Sequence, residues 1–308
     1  MKKLIASFVS LVALCCGVLS AQVSQYSLDV EPFSTVNVSG PFEASLVRGT
    51  QYRVLISVLE PYKPYVECSS TAGTLTLNLD ERKVPLDVRR QFRGKGTPDP
   101  VYSAVIYVPD LVQFVNLSGK AVLRDTEDLF DKARITITME GNSSVKSLSL
   151  SSLVFNLQMK GKSTADINVT CSESHIDLAN SSNLTLDEQA EDSFYIIAGS
   201  SKARVKSETK RLTLSAKGNS SMSLYGAGDG ATFELSSTSE VDASGFKVSD
   251  ADVRMTSVSR LSVAAANVLR VNLNGGSTLM FAGDPAVSVE NIRSATMSRL
   301  KTAAPTSL

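Results

Sequence analysis

Gly199-Ser-Ser-Lys-Ala203 and, nineteen residues later, Gly218-Asn-Ser-Ser-Met222 decide how this chain folds. The same frame recurs on both sides of them. It is seen at Gly119-Lys-Ala-Val-Leu123, Gly141-Asn-Ser-Ser-Val145, Gly161-Lys-Ser-Thr-Ala165 and Asn180-Ser-Ser-Asn-Leu184 upstream. Downstream it is seen at Ser237-Thr-Ser-Glu-Val241, Ser257-Val-Ser-Arg-Leu261 and Gly275-Gly-Ser-Thr-Leu279. The intervals are 22, 20, 19, 19, 19, 19, 20 and 18 residues. Ser143, Ser163, Ser182, Ser201, Ser220, Ser239, Ser259 and Ser277 hold the third place in eight of the nine units, with Ala121 in the other.

Four places before each frame residue stand Val115, Ile137, Leu157, Ile176, Tyr195, Leu214, Phe233, Val253 and Val271; two places before it stand a second set of apolar residues. Mostly polar residues lie between them. Period two means strands with one face turned inward, and no helical period competes with it. A repeat this short cannot bury its apolar edge alone, whereas stacked copies can. The expected fold is all-β, a parallel β-solenoid of about nine coils of about 19 residues. At the spacing of paired strands such a stack is roughly 40 Å long. The frame residues fall at bends or point inward, where small side chains fit and glycine tolerates unusual backbone angles. The serine column is expected to pass hydrogen bonds along the axis. A row of eight is not a row of nucleophiles, because a catalytic serine is single and has an adjacent base.

Residues 22–115 also carry strand patterns, at Thr35–Val38, Ala44–Val47, Arg53–Val58, Leu75–Leu79 and Ala104–Val108. They are expected to form an N-terminal β cap on the repeats of 116–300, since a bare end leaves open edges. Lys2 and Lys3, the apolar run to Leu19 and a cut after Ala21 read as a signal peptide over 1–21. No transmembrane span remains after cleavage. Cys15 and Cys16 raise a lipid anchor, but Leu14 and Cys15 stand where that signal wants a small residue. The tail 301–308 is expected to be disordered. Cys68 and Cys171 remain in the mature chain, and their spacing does not decide whether they pair.

The chain carries 31 basic against 31 acidic residues, and the mature part 29 against 31, so neither nucleic acid nor an anionic membrane is an expected partner. His175 is the single histidine, which excludes a multi-histidine metal site. No phosphate loop or regular calcium loop occurs, and no cofactor is expected. Asp187-Glu188 with Glu191-Asp192, and Ser249-Asp-Ala-Asp252, read as solvated turns rather than calcium sites. Two places could touch a ligand. Tyr62-Lys-Pro-Tyr65 has rings suited to a sugar, and Arg89, Arg90 and Arg93 belong to a basic segment suited to an anion. Packing of the tyrosines and solvation of the arginines are the simpler readings of both.

Phe33-Ser-Thr-Val-Asn-Val-Ser-Gly40, Val105-Ile-Tyr-Val-Pro-Asp-Leu111, the repeated small frames and Phe281-Ala-Gly-Asp-Pro285 together resemble the head GIN domain family of auto-transporter adhesins. The resemblance covers roughly residues 30–290 and departs where Asn180, Ser237 and Ser257 replace glycine. It implies a solenoid-like fold in an exported protein of Bacteroidota-type bacteria, found in the periplasm, outer membrane or cell surface. It supplies no catalytic residues. The leading expectation is a non-catalytic contact module for a glycan or cell-surface ligand. The alternatives are a carbohydrate-active enzyme using Asp166 and Asp242 or the basic segment, and a scaffold of the envelope.

Overall fold

The computed structural model describes residues 23–92, 102–124 and 126–300. The signal segment, Arg93 with the glycine-containing part of the basic loop, and the tail lie outside the described residues. The described chain is a parallel β-solenoid of about ten turns. Its only described helices are a 3-10 turn at Glu60–Tyr65 and one short α-helix at Leu86–Gln91.

Each coil contributes one strand to each of two walls, and the frame residue is the corner between them. The apolar place four before the frame forms one continuous inward column. Ile137 pairs with Leu157, then Ile176, Tyr195, Leu214, Phe233, Val253 and Val271, each step one coil on. All of these are buried. Burying each such side chain contributes roughly 1.5–3 kcal/mol, so the period-two pattern and the register hold one another in place. From Lys202 onward the opposite corner straightens, and strands of 15 or 16 residues run from one wall into the next coil.

The corner itself is left-handed. Gly119, Gly141, Gly161, Gly199, Gly218 and Gly275 have φ between 69° and 80°. Asn180, Ser237 and Ser257 hold the same conformation at 66°, 65° and 62°, so the departures from glycine leave the turn intact. Gly40 at 80° and Ser294 at 53° extend the series beyond the nine units legible in the repeat. The glycines are needed for a second reason: a Cβ on Gly161 would stand 2.6 Å from the carbonyl oxygen of Gly141 in the coil before it.

The serine column is buried as expected, but its hydroxyls do not chain along the axis. Only Ser163 and Ser182 approach each other, at 3.4 Å. Ser182, Ser239 and Ser259 instead donate to the carbonyls of Ala179, Ser236 and Thr256 at 2.8, 2.9 and 3.0 Å. Ser143, Ser201, Ser220 and Ser277 have no hydrogen-bond partner among the described residues. Coils are roughly 4.8 Å apart, too far for most hydroxyl pairs, so the hydroxyl turns to its own corner or to nothing. Ser201→Ala is therefore expected to leave stability unchanged or to raise it, whereas Ser182→Ala lowers it by about 1 kcal/mol in urea denaturation.

The five expected N-terminal strands are present, joined by Val23–Asp29 and Val66–Thr71. Their order in space differs from their order in sequence. Thr35–Ser39 lies between Thr74–Leu79 and Phe114–Leu117, and Glu43–Arg48 lies between Tyr102–Val108 and Val122–Leu123. The chain thus lays down one coil, passes outward to build the end of the stack, and returns on the inner side. Antiparallel strands Val23–Asp29 and Arg53–Leu59 complete one wall there. Leu59, Tyr62 and Val84 close the interior at this end.

Candidate functional site

The outward residues of the coils form columns in register. On one wall Asp166, Thr185, Arg204, Ser223, Asp242, Ser262 and Met280 follow one another. Asp166 and Asp242 are four strands apart, roughly 19 Å at the strand spacing. Paired carboxylates that cleave a glycosidic bond stand within about 10 Å. Asp242 is moreover engaged by the backbone N–H and hydroxyl of Ser244 at 3.1 and 2.6 Å. That pair cannot act as an acid and a base on one bond.

The other wall carries Asn156, His175, Phe194, Thr213, Thr232, Asp252 and Arg270 in one column. His175 faces solvent, as its parity requires. It contacts Glu173 Oε1 through Nε2 at 2.7 Å and stacks on Phe194 with ring centroids 4.9 Å apart. Ion pairs between adjacent coils run along the stack: Lys206–Asp187, Lys210–Glu191, Arg211–Asp192, Arg254–Glu234 and Arg270–Asp252. Arg211, hydrogen-bonded to Asp192, holds that carboxyl below its ordinary range. These exposed pairs add little stability singly. They do occupy Asp187, Glu191, Asp192 and Asp252 of the motifs considered as calcium turns, and no group of three or more metal-binding side chains occurs among the described residues.

Glu188 departs from the expectation of a solvated turn. It is fully buried, because Leu184, Leu186 and Glu188 share the inward parity of one strand. Four hydroxyls converge on its carboxyl group. Ser174 donates to Oε2 at 2.8 Å, Ser193 and Ser207 donate to Oε1 at 2.7 Å, and Tyr195 donates to Oε1 as well. Burial first, and then the Glu188 charge, push the Tyr195 hydroxyl well above its ordinary range. The cluster lies inside the solenoid and cannot meet a ligand.

Of the two places that could touch a ligand, the tyrosine motif is largely packed away. Tyr62 is 2% exposed, and Phe92 and Tyr102 pack against it at 5.7 and 5.5 Å, so it has no face to offer a sugar. Tyr65 is half-buried against the core. In the basic segment Arg82 and Lys83 are paired with Asp80 and Glu67. Arg89 is half-buried with an unpartnered Nε, and Arg90 is exposed. A cleft absent from the sequence reading lies nearby on the other wall. It encloses about 430 Å³ among Ser27, Arg48, Gly49, Thr50, Gln51, Arg53, Leu55 and Tyr107. Arg53 is held by Asp29 at 2.7 Å, and Arg48 donates to the Pro109 carbonyl at 3.0 Å. Its signal in the sequence was a Gly49-Thr50 turn flanked by two arginines.

Cys68 and Cys171 are free thiols. Six strand positions separate their levels in the stack, roughly 29 Å, far beyond the reach of a disulfide. Burial pushes Cys68 up to about 11, and burial with the Glu188 charge pushes Cys171 up to about 12. Both are thus expected to resist iodoacetamide at pH 8 in the folded protein and to react on unfolding, read by mass spectrometry.

No described helix is long and apolar enough to cross a membrane. Among curated proteins none matches the chain. Some solved structures are similar to the chain at low identity. A "Putative lipid binding protein" from Parabacteroides distasonis is 15% identical, with a TM-score of 0.49, over 92% of this chain and 98% of its own. A "putative adhesin" from Parabacteroides merdae is 14% identical, with a TM-score of 0.46, over 92% and 98%. The family model described as "Putative auto-transporter adhesin, head GIN domain" matches residues 32–196 and again residues 158–285. The two spans overlap, as a repeated coil allows, and with them the chain belongs to the head GIN domain family.

Proposed function

We infer that this chain is an exported contact module of the cell envelope, adhesin-like in its use. It holds its partner along the outward columns of the solenoid rather than inside an enclosed pocket. The observation that carries this reading is the register itself. Hydroxyl, amide and charged groups repeat at the strand spacing from coil to coil on a long wall, a surface matched to an extended polar ligand such as a glycan. Binding to such a wall sums many weak contacts, and flanking ion pairs keep it stiff. Two measurements test this reading together: pull-down of residues 22–308 against host and bacterial glycans, and adhesion of cells lacking the protein. A retained glycan and reduced adhesion are expected. No retained ligand together with unaltered adhesion overturns the reading.

A further inference from the structure

The cleft at Ser27, Arg48 and Tyr107 opens on the same wall as the outward column of Asp166 and Asp242. Arg53 and Leu55 alternate with buried Val54 and Ile56, so both face outward. Register sets Tyr107 beside Arg53, and Ser27 beside Leu55. From Arg53–Leu59 the wall runs through Tyr102–Val108, Glu43–Arg48, Val122–Leu123 and Ser144–Ser151 to Thr164–Thr170, the strand of Asp166. Five strand steps separate the two, roughly 24 Å. The cleft thus stands at the N-terminal end of the outward columns. A side chain at position 49 would intrude on it, since a Cβ on Gly49 would stand 2.8 Å from the Cβ of Tyr107.

The charged side chains lining the cleft are two guanidiniums, and they differ in what they have left to bind. Arg53 is committed to Asp29. The Arg48 side chain meets only the neutral carbonyl of Pro109. The carboxylates nearby are occupied: Glu127 accepts the backbone N–H of Arg48 at 3.1 Å, and Asp110 accepts the Tyr52 hydroxyl at 2.7 Å. Arg48 therefore carries a planar fork of charged N–H donors with no anion on it among the described residues, the arrangement that takes a carboxylate. Around it the hydroxyls of Ser27, Thr50 and Tyr107 have no hydrogen-bond partner among the described residues. Leu55 and the Tyr107 ring add apolar surface. At about 430 Å³ the cleft is of the size of small-molecule sites. A bare inorganic anion would fill a fraction of it and leave Leu55 and Tyr107 uncovered.

We propose that this cleft is the subsite for one acidic sugar unit, a hydroxylated ring bearing a single carboxylate, and that it fixes that unit of the glycan at the end of the wall. The proposal rests on the glycan reading of the wall and adds the class of sugar. Arg48 takes the carboxylate, the three hydroxyls meet those of the ring, and Leu55 and Tyr107 pack on its apolar face. With Arg53 already paired, the cleft has charge for one anionic group and not for two.

The test is NMR titration of residues 22–308 with glucuronate and galacturonate, with glucose and galactose as neutral counterparts and inorganic phosphate as the bare anion. At least one of the two acidic sugars is expected to bind tenfold or more tightly than its neutral counterpart and than phosphate. Arg48→Gln should abolish that preference and Arg48→Lys should keep part of it, with circular dichroism checking that both fold. The contrast within the wild type decides even where a variant does not fold. Acidic sugars bound no better than neutral ones, or bound equally well by a folded Arg48→Gln, overturn the proposal. Thr185→Glu with Ser223→Glu lies farther along the wall and should leave the single sugars bound as in the wild type, which separates the two readings. Retention of a neutral polymer without binding of either acidic sugar removes the subsite and leaves the wall. Acidic sugar bound at Arg48, with polymer binding indifferent to the two glutamates, removes the wall and leaves the subsite.

Discussion

Glu188→Ala is expected to destabilise the protein by about 4 kcal/mol, the largest effect of any single polar substitution proposed here. The substitution removes the acceptor for Ser174, Ser193, Ser207 and Tyr195 together and leaves a void beside them. A buried donor left unpaired costs about 1–3 kcal/mol, and the hydroxyls can recover only part of this by turning to backbone carbonyls. Two companions separate hydrogen bonding from volume. Glu188→Leu fills the space but leaves the hydroxyls orphaned, so it should remain destabilised by about 3 kcal/mol. Glu188→Gln keeps an acceptor for the three hydroxyls on Oε1 and offers Ser174 a donor, so it should cost about 1 kcal/mol. Urea midpoints at constant m-value measure all three. A leucine variant as stable as the wild type contradicts the account of the cluster.

Gly226→Ala is the second large effect, about 3 kcal/mol of lost stability. Gly226 has φ 112°, and a Cβ there would lie 2.0 Å from the carbonyl oxygen of Ser207 in the adjacent coil. The conformation alone costs an L-residue about 1–3 kcal/mol, and the neighbouring backbone, itself held by the Glu188 cluster, cannot move aside. Gly230 is the control, four residues along the same strand. Nothing lies within 4 Å of its Cβ position, so Gly230→Ala should be neutral or stabilise by about 0.5 kcal/mol. Thermal unfolding of the pair reads the contrast. Equal effects at the two positions contradict the packing described.

These two positions also mark how far the sequence was legible. The frame and its alternation gave the strands, the inward columns and the left-handed corners, because each coil repeats one local pattern. The same parity that set Leu184 and Leu186 inward set Glu188 inward too, but a lone charged residue reads as surface until its hydroxyl partners are known. Those partners lie 14, 5, 7 and 19 residues away and belong to three coils. The placing of Thr35–Arg48 between two later coils was hidden for a related reason. Pairing between distant strands leaves no mark on local periodicity. The cleft at Arg48 and Arg53 depends on that same nonlocal arrangement, whereas the packing of Tyr62, the simpler reading of its motif, is supplied by Phe92 and Tyr102 from other parts of the chain.

The most direct test of the outward wall as the contact surface is glycan binding by residues 22–308 beside a double variant, Thr185→Glu with Ser223→Glu. Both positions belong to the outward column on either side of Arg204, so the added carboxylates flank a cation and leave the interior untouched. The variant is expected to keep the wild-type circular dichroism and melting temperature and to lose binding by at least about tenfold. Unchanged binding by the double variant, or release of cleaved polymer by the wild type, would contradict this reading.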